Sequence, residues 1–261
     1  MIGVLRGTCV ALLAVLAGSS LNANVIGVPQ AMFRQTYALG PNGRVTIQNL
    51  YGDVRITAWD RDEVLVEAIK RAPDPRRLGD AQIVVDSSTG QLSIHTQYAG
   101  ADVDRPASVE YRITVPRSTN LENVKLVNGG LSISGVIGPV KASAINGSIR
   151  AERLEGQADL STVNGRLDAD FERISPQNPI SLTSINGPIQ LSLPAGAGAN
   201  LIASNTSGGI DSDVGRVCRV SGGHRLRAMV NRGGAPIHLR NVNGGIAIRS
   251  NWTRRPAHPM S

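Results

Sequence analysis

The chain has 261 residues, a formal net charge of +7 and 41% apolar residues, but only 3% aromatics. It is long enough to bury a sizeable core, and that core must be assembled from Val, Ile, Leu and Ala. Beyond the N-terminus no apolar run approaches the roughly 20 residues that span a bilayer as a helix. The 29 glycines and scarce helix signals exclude a helical bundle.

The chain opens with Arg6 and an apolar run at residues 9–17 (CVALLAVLA), followed by small residues. A positive start, a short apolar segment and small residues read as a signal peptide over 1–23, with an uncleaved membrane anchor, for which the run is short, as the alternative. The mature protein is thus expected to be exported, periplasmic or associated with the cell envelope, with no transmembrane helix. Cleavage leaves one cysteine, Cys218, so no internal disulfide can staple the fold. Residues 24–41 lack a strong period and read as a lead-in.

From Asn42 the residues alternate apolar and polar: NGRVTIQNL, YGDVRITAW and RDEVLVEAI. Period two means a strand with one buried face and one wet face. A Pro- and charge-rich turn follows at 72–80. The strands AQIVVD and QLSIHTQY come next, and then VEYRITVP, which Pro116 closes.

Between residues 127 and 250 the chain is written in phrases of about nine residues. Asn128, Asn146 and Asn164 recur every eighteen residues, Asn186 follows after twenty-two, and Asn243 repeats the phrase near the end. A fixed short period signals one unit stacked on copies of itself. The fold class expected is all-β: a parallel β-solenoid, two phrases per coil, with the Asn amides bonding along the stack. The alternative takes each Asn-Gly as a hairpin turn and gives an antiparallel meander or β-sandwich. The solenoid is favoured because Asn-Gly marks only every second boundary. Residues 42–250 read as one β-repeat domain and 251–261 as a basic C-terminal tail.

Four features in this order resemble the bacterial "putative adhesin" family, a domain of unknown function in exported proteins. They are Gly43-x-Val45-x-Ile47, the strand ending in Val115-Pro116, the phrase Val-Asn-Gly-Gly-Leu at 127–131, and the repeated Asn-Gly coils. The resemblance implies an all-β, solenoidal fold and an envelope location. It carries no catalytic residue to transfer. The basic stretch between Gly215 and Arg232 departs from the plain repeat.

Charge is unevenly spread. After Asp213 there is no acidic residue and there are nine arginines; setting these and Arg6 aside from the +7 total leaves −3 for residues 24–213. Clustered arginine attracts anionic partners in a salt-dependent way. Arg216, Arg219, Arg225 and Arg227 are the candidate contact set. The partner expected is a lipid headgroup, lipopolysaccharide, an acidic glycan or an envelope protein; export argues against nucleic acid. A solvated basic cap on the stack would have the same composition.

No nucleophile elbow, metal-protease helix, phosphate loop or paired Cys motif occurs, and no cofactor is expected. His95, His224, His238 and His258 lack ligand spacing. Asp168 with Asp170, and Asp211 with Asp213, share strand faces, as paired carboxylates of a polysaccharide-active β-helix would. With no site visible, the chain reads as a non-enzymatic binding or structural module. That enzyme and a scaffold assembling end to end are the alternatives.

Overall fold

The computed structural model describes residues 28–99, 107–214, 216–218 and 224–251, with residues 216–218 and 251 by backbone alone. The expected signal peptide and, apart from the backbone of Asn251, the basic tail lie outside the described residues.

The alternating phrases fold as strands. In the N-terminal part these are β1 (Gln30–Ala38), β2 (Arg44–Tyr51), β3 (Val54–Trp59), β4 (Glu63–Arg71), β5 (Ala81–Ser88), β6 (Gln91–Tyr98) and β7 (Ser108–Pro116). The expected lead-in therefore holds a strand, β1. Its apolar residues are too weakly periodic to announce it because it pairs only along one side, antiparallel to β4. The repeat region follows as β8 (Asn120–Asn128), β9 (Leu131–Ser134), β10 (Val140–Asn146), β11 (Ile149–Leu154), β12 (Ala158–Asn164), β13 (Leu167–Phe171), β14 (Ile180–Asn186) and β15 (Ile189–Pro194). The last strands are β16 (Ala199–Ser207), β17 (Ile210–Ser212), β18 (Arg216–Cys218), β19 (Arg225–Val230), β20 (Ala235–Asn243) and β21 (Ile246–Asn251).

Among the described residues two sheets face each other, one of 11 strands (sheet I) and one of 10 (sheet II). The coils of the repeat cross from sheet I through an Asn-Gly corner into sheet II, as β10 does into β11. β10 pairs in parallel with β8 and β12. Asn-Gly is thus a corner between sheets, and the antiparallel meander is not formed. Antiparallel pairing is confined to the ends of the stack, at β1–β4, β4–β7 and β5–β6 on one side and β16–β19 and β18–β19 on the other. These reversed strands cover terminal coils that would otherwise expose apolar faces.

Chain order and stack order differ at both ends. Sheet I runs β5-β6-β2-β8-β10-β12-β14-β20-β16-β19-β18, so the coil β2–β3 lies inside β6–β7, and β20–β21 lies between β14–β15 and β16–β17.

The corners explain the Asn-Gly phrase. Gly147 N–H donates to the Asn164 carbonyl at 3.0 Å, while the Asn164 side chain donates back to Asn146 at 2.8 Å. The amide ladder runs on through Asn146 to Asn128, Asn186 to Asn164 and Asn243 to Asn186. Glycine follows because the corners lie almost in contact: a Cβ on Gly147 would stand 1.9 Å from the Gly129 carbonyl oxygen.

Inside, aliphatic columns from the two sheets meet. Ile189, for example, sits between Leu167 and Ile246 in register, all fully buried. Tyr111 and Phe171 are the largest fully buried side chains. The Tyr111 hydroxyl bonds Thr96 at 2.8 Å, and burial pushes its pKa up to about 12. Under the corners runs an inward polar set. Asn49 Nδ2 donates to the Val109 carbonyl at 2.8 Å and the Gly52 carbonyl at 2.9 Å, and its Oδ1 accepts from Thr96 at 3.0 Å. Asn205 and Asn241 make the corresponding bonds to Gly244 and Gly187.

Candidate functional site

Strand alternation places Arg225 and Arg227 on one side of β19, and both are exposed on the outer face of sheet I. Directly opposite them on β16 stand Ser204 and Ile202, neither able to neutralise a cation. Arg216 lies on β18, opposite Met229 in register; its side chain and all of Arg219 lie outside the described residues, as does the Cys218 side chain. The fold therefore brings Arg225 and Arg227 together and sets β18 alongside them. Arg254 and Arg255 lie outside the described residues, and Arg240 and Arg249 stand apart from the pair. Arg240 is exposed two strands inward on β20, and Arg249 on sheet II bonds Asp211 at 2.5 Å, which raises its pKa.

Asp168, Asp170 and Asp211 stand on the outer face of sheet II, while β17 ends at Ser212 and leaves Asp213 beyond the strand. Asp168 and Asp170 line an open hollow of about 240 Å³ with Arg150, Glu152 and Arg166. Burial pushes the Asp168 carboxyl above its ordinary value, and Arg166 and Arg150 partly offset this. Asp170 accepts a bond from the Arg153 backbone at 3.4 Å, and Asp213 accepts one from the Ser250 backbone at 2.8 Å. His95 and His238 lie on the outer face of sheet I, and among the described residues no three His, Cys, Asp or Glu side chains gather as a metal site.

Two features escaped the sequence reading. A second open hollow of about 220 Å³ on sheet II is flanked by Arg55 and Arg112, which are opposite each other in register and exposed. The other is a line of exposed aliphatic side chains beside the Asn ladder, which includes Leu50, Ile145 and Ile185. Its signal was available: each of these residues breaks the alternation of its phrase just before the corner.

The profile of the family Toastrack DUF4097 matches residues 25–249. No curated protein matches the chain in sequence. Among solved structures, it is similar to a "putative cell adhesion protein" of Clostridium sporogenes ATCC 15579, at 12% identity over 84% of this chain and 100% of that one, with a TM-score of 0.48. A "putative adhesin" of Bacteroides fragilis NCTC 9343 is 9% identical over 84% and 97% of the two chains, with a TM-score of 0.39. One of Parabacteroides distasonis ATCC 8503 is 10% identical over 84% and 97%, with a TM-score of 0.33. Among the described residues no helix is long and apolar enough to cross a membrane.

Proposed function

Because the chain belongs to the Toastrack DUF4097 family, we propose that it is an exported, non-enzymatic module of the cell envelope whose arginine-bearing end holds an anionic envelope component. The observation that carries this reading is the pair Arg225 and Arg227, exposed side by side on an edge strand opposite Ser204 and Ile202. Two guanidinium groups without a facing carboxylate are free to take phosphate or carboxylate oxygens in forked hydrogen bonds. Arg216, whose backbone lies on the neighbouring strand, and Arg219, outside the described residues, are taken as the rest of the set. Lipid headgroups, lipopolysaccharide and acidic glycans all present that chemistry.

Export rests on the segment 1–23, with 42–250 as the repeat domain and 251–261 as a basic tail; sequencing the N-terminus of the secreted protein tests it. The non-enzymatic reading is supported by three of the aspartates, since Asp170 and Asp213 accept from backbone amides and Asp211 from Arg249; Asp168, which faces the open hollow, is the residue a polysaccharide-active reading would turn on. Replacing Arg216, Arg219, Arg225 and Arg227 by Gln is expected to weaken binding to phosphatidylglycerol vesicles or lipopolysaccharide and to flatten its salt dependence. Unchanged binding and salt dependence would refute the assignment.

A further inference from the structure

The outer face of sheet I carries an aliphatic ridge. In the rung position just before the corner stand Leu50, Val127, Ile145, Val163, Ile185 and Val242, one from each of six successive coils. Leu50, Ile145 and Ile185 are 41%, 46% and 40% exposed. At a rung spacing near 4.8 Å the ridge is about 24 Å long. It ends at Gln97 on one side and Thr206 on the other, so the apolar character is bounded. The core does not need these side chains. The inward columns of the same strands are already filled by residues such as Ala142, Leu160 and Leu182.

The row beside the ridge on the same face reads Gln48, Lys125, Ser143, Ser161, Thr183, Arg240 and Ser204, and ends at Arg225 on β19. It contains three cations and no carboxylate, and no salt bridge neutralises Lys125, Arg240 or Arg225 among the described residues. On the ridge's other flank lies the uncharged Asn ladder.

We infer that this face docks on an anionic bilayer surface. The aliphatic ridge enters the boundary between headgroups and acyl chains, while Lys125, Arg240 and Arg225 take lipid phosphates. The inference deepens the proposed function and rests on its anionic partner. Apolar side chains lined by cations are the general make-up of an interfacial membrane contact. A second copy of the chain is disfavoured because face-to-face docking would oppose two cationic rows. A glycan would have no use for a row of branched aliphatics. A straight ridge without a cleft suits a fluid surface that reshapes around it.

The test uses the mature chain and two kinds of vesicle, phosphatidylethanolamine with phosphatidylglycerol and pure phosphatidylcholine. Ile145→Ser with Ile185→Ser, both outward-facing, is expected to lower partitioning onto the anionic vesicles at least about tenfold while leaving its salt sensitivity in place. Ile145→Trp is expected to show a blue-shifted emission on the same vesicles, relative to the unsubstituted chain. Serine variants that bind like the parent, or an introduced indole whose emission does not move, overturn the inference. If the four-arginine variant loses binding while the serine variant does not, the ridge fails and the basic end stands. If the serine variant loses binding and the arginine variant does not, the ridge stands with Lys125 and Arg240, and the basic end fails together with the role given to Arg225. Binding to an acidic glycan or protein but to neither vesicle also overturns the bilayer assignment.

Discussion

The side-chain amide of Asn243 donates to Asn186 at 2.9 Å across a separation of 57 residues. The last coil in sequence thus occupies an interior place in the stack, and β16 rests on β20 rather than on β14. Truncation after Gly233 should therefore remove more than its own coil: β16 and β17 lose the strands on which they pair, and β19 hangs on β16. Hydrogen exchange is expected to show loss of amide protection in those strands with retention in β10–β13. Retained protection in β16 would mean that it pairs directly with β14 instead.

Within the ladder, position sets the cost of losing a rung. Asn164 both donates to Asn146 and accepts from Asn186, whereas Asn243 stands at the end of the bonded series. Each exposed bond contributes on the order of 0.5–1 kcal/mol net, because water takes over when it is lost. Asn164→Ala is expected to cost about twice as much as Asn243→Ala in urea melts. Equal costs would show that the amides act rung by rung and not as a chain.

The glycine that follows each Asn is required by the approach of neighbouring corners. Gly147→Ala would drive a methyl against the Gly129 carbonyl, and the stack cannot part without breaking the bonds on either side. A loss of more than about 3 kcal/mol is expected. Gly209→Ala meets nothing within 4 Å and should stay within about 1 kcal/mol. Thermal or chemical denaturation of the two variants separates a local clash from a general intolerance of alanine.

The parts of this architecture that the sequence displays are those each coil repeats. Val140, Ala142 and Ala144 alternate with polar residues and become an inward column, and the recurrent Asn becomes the ladder. Stack order was not legible, because every coil offers the same apolar alternation and any could lie on any other. The clue was an inward Asn where its neighbours have Leu126 or Ala144. Asn49, Asn205 and Asn241 all belong to the coils that are inserted out of chain order or rest on one that is. At the candidate site, alternation alone puts Arg225 and Arg227 on one face. The ridge was hidden because Ile145 and Ile185 fall out of step with their strands and read as part of the corner.

Asn49 ties the displaced coil β2–β3 to the coil beyond it. Its amide satisfies the Val109 carbonyl, and its oxygen accepts from Thr96, all in a buried setting. Asn49→Ala takes this donor from the Val109 and Gly52 carbonyls, away from water, where each loss costs about 1–3 kcal/mol, while Thr96 keeps its bond to the Tyr111 hydroxyl. The variant is expected to lose roughly 2–4 kcal/mol, with exchange rising first in β6 and β7. A loss confined to β2 would indicate that the polar contact is local.

Asp168 gives a pH signature of opposite sign to a paired surface carboxylate. Its pKa in the folded chain is raised from 3.8, chiefly by burial, with Arg166 and Arg150 recovering only part of the cost. Below 3.8 both folded and unfolded chains carry the protonated acid, and the site costs nothing. As pH rises through the folded value, the native state must hold a half-buried carboxylate that the unfolded chain leaves in water, so stability falls. Asp168→Asn keeps the shape and removes the charge. It should raise the melting temperature at neutral pH and leave it unchanged in acid below 3.8. An advantage that is the same at both pH values would place the effect in packing, since only a desolvated charge makes the gain disappear when the acid is protonated.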